Sequence, residues 1–161
     1  MKVDDFNKNE MSYLNDYIKF ADTKAGALVG LDGLMLKFDL NQFATPLTYT
    51  PSQLIGILAL VILLLAIVLD VLVVFPRTGS KPRRGAIFWD NVVQFKRAAQ
   101  YQSYVLGLDE NELNKIMAEQ NFHLAETAHR KYHVLKSAFW ASAFGAIIVL
   151  LTAILPHITH H

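Results

Sequence analysis

The chain has no cysteine among its 161 residues. That excludes disulfides and thiol chemistry, and it leaves the redox compartment unread. Charge is scarce too: charged residues make up 18% and apolar residues 53%, a balance unlike that of a soluble domain. No Ser-His-Asp set, glycine-rich phosphate loop or pair of catalytic carboxylates can be assembled. Gly79-Ser80-Lys81 lacks the spacing of a Walker loop. The expectation is therefore a protein that is not an enzyme and needs no cofactor. A cleavable leader is not visible either. The first 24 residues are polar, with Asp4, Asp5, Glu10, Asp16 and Asp22 among them, so insertion has to use internal segments.

What the chain does have is long apolar runs. Leu54–Phe75 is almost unbroken, with Asp70 as its only ionisable residue, and Ala138–Leu155 carries no charge. A helix needs about 20 apolar residues to cross the roughly 30 Å of bilayer hydrocarbon. The fold class expected is all-α: a multi-pass membrane protein with two to three transmembrane helices and a cytosolic two-helix hairpin. The soluble parts are too small for a separate domain with a deep core.

Six segments follow along the chain. Residues 1–24 read as an N-terminal amphipathic helix, with Tyr13, Leu14, Tyr17, Ile18 and Ala21 at helical spacing on one face. Residues 25–40 are a first transmembrane or re-entrant helix. Its glycines Gly26, Gly30 and Gly33 would permit close helix approach, and Asp32 near its middle would be costly against lipid. An uncharged connection precedes the span at 53–75, which Pro76 ends. Residues 76–136 form a helical sensor region. A helix is expected over about Ala86–Gly107, and another from Asp109, where Asp109 and Glu112 resemble a capping box. Leu113, Met117, Leu124 and Val134 follow a loose heptad rhythm. Neither glycine nor proline occurs from Leu108 to Trp140, so this helix can run straight into the span at 137–155, ahead of a short tail at 156–161. Basic residues concentrate in 76–136 and are missing from 41–52, which places 76–136 in the cytoplasm. With three spans the N-terminus is inside as well.

Three constellations could carry chemistry. Arg77, Lys81, Arg83 and Arg84, followed by Lys96 and Arg97 and interleaved with Trp89, Phe95 and Tyr101, would suit a small anionic nucleotide, through guanidinium forks on phosphate and an aromatic face on the base. The same residues would equally serve to hold anionic headgroups. Glu126-x-x-His129, with His123 and His133, has the spacing of one half of a di-iron motif, but nothing supplies the other half, and no metal is expected. Asp70, Asp32 and Lys24 are ionisable groups at membrane depth. Asp70 reads either as an interfacial residue near Arg77 or as part of a gate or pore.

The string Phe20-Ala21-Asp22-Thr23-Lys24-Ala25-Gly26 resembles the opening of the small membrane effectors of bacterial Pycsar antiphage systems. So do Phe75-Pro76-Arg77, the Phe88-Trp89 pair, and Lys131-Tyr132 leading through Leu135-Lys136 to the last span. The resemblance covers roughly residues 13–155. It implies an effector in the bacterial inner membrane that is activated by cyclic CMP or cyclic UMP from a neighbouring cyclase. The activated effector would impair the membrane and abort infection. It implies no DNA or RNA partner. With no β-barrel for cyclic nucleotides, the sensing surface would be helical and built between protomers of a homo-oligomer. On that reading Arg83, Arg84, Lys96, Arg97, Arg130 and Lys131 contact phosphate, and Trp89 and Tyr101 stack on the base. Asp22 and Lys24 form a structural or gating pair, and the partner surface is membrane lipid. Asp32 and Asp70, ionisable groups at membrane depth, are further gating or structural candidates. The alternatives are a ligand-independent scaffold and a small constitutive channel.

Overall fold

The structure, a computed structural model, describes residues 3–41, 50–75 and 86–158. They form helices and turns with no strand: α1 (Val3–Asn41), α2 (Pro51–Val74), α3 (Trp89–Val92), α4 (Ala98–Leu106) and α5 (Glu110–Ile158). α2 and α5 are long and apolar enough to cross a membrane. The protein is therefore an all-α membrane protein.

Local chemistry accounts for the helix ends. The Thr50 hydroxyl accepts from the Gln53 amide at 3.4 Å and Pro51 takes the first helical position, where its missing N–H costs nothing. At the other end, Phe75 turns to φ −60°, ψ 123°. That is the extended geometry a following proline imposes, and Pro76 follows. The capping box forms at the start of α5: the Glu112 amide donates to Asp109 Oδ1 at 2.7 Å, and the Asp109 amide donates to Glu112 Oε2 at 3.1 Å. From there α5 runs unbroken for 49 residues, about 74 Å at 1.5 Å per residue.

Two expectations about helices change. Residues 1–24 and 25–40, read as separate segments, belong to the single 39-residue helix α1. The helix expected over 86–107 is broken into α3 and α4. Arg97 sits extended at φ −142°, ψ 142°, and an aromatic cluster explains the break. Phe95 packs on the rings of Tyr101 and Tyr104 with centroids 5.4 and 5.3 Å away, and the Tyr101 hydroxyl donates to the Ala86 carbonyl at 2.7 Å. A straight helix would hold residues 86 and 101 about 22 Å apart.

The chain divides into two compact units: Met1–Lys19 with Pro76–His129, and Phe20–Phe75 with Arg130–His161. In the first unit, asparagines join α1 to α5. Asn7 Nδ2 donates to Asn114 Oδ1 at 3.2 Å, and Asn121 Nδ2 donates to the Asn7 carbonyl at 3.0 Å. Asn114 and Asn121 lie seven residues apart, on one face of α5. Leu14, Ala86, Met117 and Ala128 are the buried apolar residues of this unit.

The second unit is a three-helix bundle. Ala21 and Ala25 of α1 pack with Val73 of α2 and Leu135 of α5, while Met35 and Leu36 pack with Ala59, Leu63 and Val149. α1 and α5 are thus parallel here, and α2 runs against both. The buried residues of α2 are Gly56, Ala59, Leu63, Ala66, Asp70 and Val73, spaced alternately three and four apart. Leu135, Ala138, Ser142, Gly145, Val149 and Thr152 of α5 keep the same rhythm. That 3.5-residue period is the seam of left-handed helix packing. The seam residues are mostly small or polar, whereas Leu58, Val61, Leu65, Phe144 and Ile147 face outward. Such a distribution suits helices whose solvent is lipid.

The register differs from the sequence reading in places. Among the described residues nothing lies within 4 Å of where a side chain on Gly26, Gly30 or Gly33 would stand, so they mediate no close approach there. They lie off the α1 seam, which runs through Ala25, Asp32 and Asp39. The glycine that does admit a close neighbour is Gly145, where an added Cβ would stand 2.6 Å from Leu63 Cδ2. Leu14 and Ala21 are buried as their face predicted, but Tyr13 and Tyr17 are exposed, their rings 4.8 Å apart. In α5 the seam passes through Met117, Asn121, Ala128 and Leu135, leaving Leu113 on the outside.

Candidate functional site

Two of the strings that carried the family resemblance, 20–26 and 131–136, meet at one place in the bundle. Ala21 and Ala25 are fully buried in the seam. Asp22 beside them binds the Lys131 ammonium, which also donates to the Val73 carbonyl at 2.7 Å. Lys24 lies over the Phe20 ring at 4.3 Å and near the Tyr132 ring at 5.8 Å. Leu135 closes the cluster from α5. The Ala-Asp-Thr-Lys-Ala stretch and the Lys-Tyr pair of α5 are thus two halves of a single joint. It also takes in the last turn of α2.

This joint corrects one expectation. Asp22 and Lys24 do not pair with each other, because residues two apart on a helix point to different sides. The partner of Asp22 is Lys131, whose side chain is only 15% exposed. Here a long flexible cation is held by a carboxylate and a backbone carbonyl at once, an arrangement that ties three helices together.

The candidate nucleotide contacts that the structure describes are divided between the two units. Arg83 and Arg84, with Arg77 and Lys81, lie outside the described residues. Lys96 and Arg97 are exposed in the turn before α4. Trp89 opens α3, and Tyr101 is half-buried, with its hydroxyl and one side of its ring occupied as described above. Lys96, Arg97, Trp89 and Tyr101 belong to the first unit, while Arg130 and Lys131 belong to the second. Arg130 is exposed, and Lys131 is held by Asp22. His123 pairs with Glu126 at 3.3 Å and approaches Glu119 at 3.9 Å, all on the exposed face of α5.

Deeper in the bundle, Asp70 faces inward rather than toward the interface, because position 70 falls on the α2 seam; it is fully buried. Asp32 is buried as well and meets the Ser142 hydroxyl at 2.8 Å. Asp39, one heptad further along α1, is fully buried too. Sequence reasoning missed Asp39, Ser142 and the Asn7–Asn114–Asn121 set. The seven-residue spacing of Ala25, Asp32 and Asp39 was the signal that could have found the first.

Fold and site define a class: an all-α membrane protein with a helical portion outside its apolar runs and a charged joint between its long helices. The chain belongs to the Pycsar effector protein domain family, PycTM, which it matches over residues 7–157. A Pycsar effector protein of Staphylococcus aureus is 34% identical over 154 residues, covering 96% of each chain. No solved structure matches it. The chain is accordingly a transmembrane Pycsar effector of antiphage defence, and its family is not a known enzyme family.

Proposed function

We propose that this protein is gated by a cyclic pyrimidine mononucleotide, cyclic CMP or cyclic UMP, and that the activated form impairs the inner membrane and aborts infection. The observation that carries the reading is the continuity of α5: one helix holds both the capped, polar start at Glu110 and an apolar span. A change of state in the polar portion therefore has a continuous covalent route to the apolar span. Residues 76–136 are the cytoplasmic sensor, and homo-oligomerisation completes its binding surface. α1 is the third span: from residue 20 onward it lies in the bundle with α2 and α5, and Leu31, Leu34 and Phe38 face outward as their neighbours do.

Within the sensor, Lys96 and Arg97 are exposed cations available to phosphate, and Arg83, Arg84 and Arg130 are proposed beside them. Trp89 and Tyr101 are proposed for the base. Lys131 has to leave Asp22 before it can meet a phosphate, which would make the joint part of the gate. A ligand can shift a gate only by binding its two states differently.

The test uses the full chain in detergent or nanodiscs, titrated with cyclic CMP and cyclic UMP by calorimetry, alongside membrane-potential dye uptake in expressing cells. Binding of one nucleotide, lost in the Arg83→Ala/Arg84→Ala and Lys96→Ala/Arg97→Ala variants, and depolarisation only with that nucleotide are expected. Depolarisation without nucleotide would identify a constitutive channel instead. Absence of both binding and depolarisation would leave a scaffold.

A further inference from the structure

Three carboxylates are buried in the bundle of the second unit: Asp32, Asp39 and Asp70, none more than 2% exposed. Among the described residues neither oxygen of Asp70 has a hydrogen-bond partner, and the same holds for Asp39. An ionised carboxylate in a dry interior needs a partner, or it takes a proton or a cation. Each of the two is therefore a position at which a positive charge is wanted and no described side chain supplies it.

Their placement is ordered along the bundle axis. Asp22, Asp32 and Asp39 lie on α1 over 17 residues, about 26 Å of rise, close to the roughly 30 Å of bilayer hydrocarbon. Asp70 enters from α2, one turn from Val73, whose carbonyl receives Lys131. Asp32 lies within electrostatic range of Asp70. Among the described titratable groups Asp32 of α1 is the one coupled to Asp70; from α5, Ser142 bonds Asp32, and the Lys131 ammonium is bound to Asp22 and to the Val73 carbonyl one turn away.

From this geometry we infer that Asp70, Asp32 and Asp39 form an intramembrane proton line, so that the membrane damage caused by the activated effector is a proton leak. The inference rests on the gated-effector reading above and names the species that crosses. Ser142 gives it a chemical feature that an apolar seam lacks. Its Oγ lies 2.8 Å from Asp32 Oδ2 and 3.0 Å from the Ala138 carbonyl. A hydroxyl has one proton and two lone pairs. When Asp32 is ionised, Ser142 donates to it; when Asp32 is protonated, the acid donates to Ser142, which turns its own proton to Ala138. The contact survives in both protonation states, so Asp32 can load and unload without breaking the helix packing.

Each step balances. Hydronium entering beside the Asp22–Lys131 joint gives a proton to an Asp70 oxygen and leaves as water. In the activated state, water admitted to the seam would accept that proton and pass one of its own to Asp32, and a chain of such waters would carry the exchange over the roughly 10 Å of helix rise to Asp39. Every acid returns to its starting form. The described carboxylates and histidines do not converge in threes as metal ligands would, which favours a proton over a chelated ion.

The test reconstitutes the full chain into liposomes loaded with a pH dye, with a potassium diffusion potential set by valinomycin, and adds cyclic CMP or cyclic UMP. A second batch carries calcein. Proton entry with calcein retained is expected, and it should fall about a hundredfold in Asp70→Asn, the loss expected when a positioned proton carrier is removed. Asp32→Asn and Asp39→Asn should act in the same direction. If the variants insert poorly, the wild type decides alone. A reversal potential that follows the pH gradient supports the line, and one that follows potassium overturns it. A nucleotide-dependent leak unchanged by the Asn variants, or one that releases calcein, overturns the line while leaving the gated-effector reading intact. Proton flux without nucleotide, abolished by Asp70→Asn, upholds the line and overturns the gating. No flux under any condition overturns both.

Discussion

The two units of this protein bury different kinds of polar residue. In the first, Asn7, Asn114 and Asn121 bond one another's side chains and backbone, and the helices they join carry charges on their outer faces. In the second, Asp39 and Asp70 are buried deeper than any of those asparagines yet have no hydrogen-bond partner among the described residues, and the outer faces are leucine, valine, isoleucine and phenylalanine. Both units use a seam of roughly 3.5 residues. The comparison teaches that the repeat sets how helices pack, while the solvent outside decides what the seam can hold. In the first unit an amide layer fixes register through the Nδ2 donors of Asn7 and Asn121, although the Asn121 Oδ1 is itself without a described partner. In lipid there is no apolar gain from hiding leucine, so small residues line the seam and ionisable groups persist there where they have work to do.

Breaking the seam of the second unit should have the largest effect. Gly145→Leu puts a side chain onto Leu63 and should destabilise the bundle by about 3 kcal/mol, the upper part of the range for overpacking. Thermal unfolding in detergent reads it, and Leu63→Ala in the same chain should restore part of the loss. Gly30→Ala is the control: nothing lies near, and a gain of about 0.5 kcal/mol is expected from helix propensity.

Next comes the charged joint. Lys131→Ala should cost about 2 kcal/mol, between the values for exposed and buried pairs, since the Asp22 side chain keeps 34% of its surface in solvent. Asp22→Asn should weaken the same contact, and a double-mutant cycle should show coupling of about 1 kcal/mol. If the joint is also the gate, Asp22→Asn alters toxicity on nucleotide addition; unchanged toxicity would confine it to a structural role.

In the first unit, Asn7→Ala removes a donor to Asn114 and should cost about 1 kcal/mol. Hydrogen exchange should rise around residues 3–19 and 110–121 and leave the bundle protected. Equal loosening of both units would erase the distinction drawn between them. The smallest effect belongs to Lys8. Its hydrogen bond with Asp4 at 2.6 Å raises its pKa above the ordinary lysine value. Any stabilisation it adds is complete below the unfolded pKa and is lost as pH climbs through the folded one. The pair is solvent-exposed, so Lys8→Ala should leave the melting temperature unchanged.

Much of the fold was legible because apolar run length is a direct read of bilayer thickness. Leu54–Phe75 and Ala138–Leu155 marked two long helices, and Asp109 with Glu112 marked where α5 begins, since a capping box is a local contact three residues wide. The family strings were legible as strings, but not as one joint. Asp22 and Lys131 are 109 residues apart, and no periodicity within α1 says which cation a carboxylate there will meet. The break at 93–97 was hidden for a similar reason, because a ring contact between Phe95 and Tyr101 outweighs helical continuity only once both rings are packed.

The amino-acid sequence by itself determined the helical class, the apolar runs, the start of α5 and the family, all of which depend on composition, short-range spacing or strings of neighbours. Tertiary structure alone decided which face of each helix is inside. It turned Asp70 inward, left Gly26, Gly30 and Gly33 outside, gave Gly145 to Leu63, and set Asp32 against Ser142. The physical reason is that in an apolar helix nearly every face is hydrophobic enough to touch lipid. Which face packs is then chosen by side-chain shape and by where a polar group finds a partner, and both depend on the other helices.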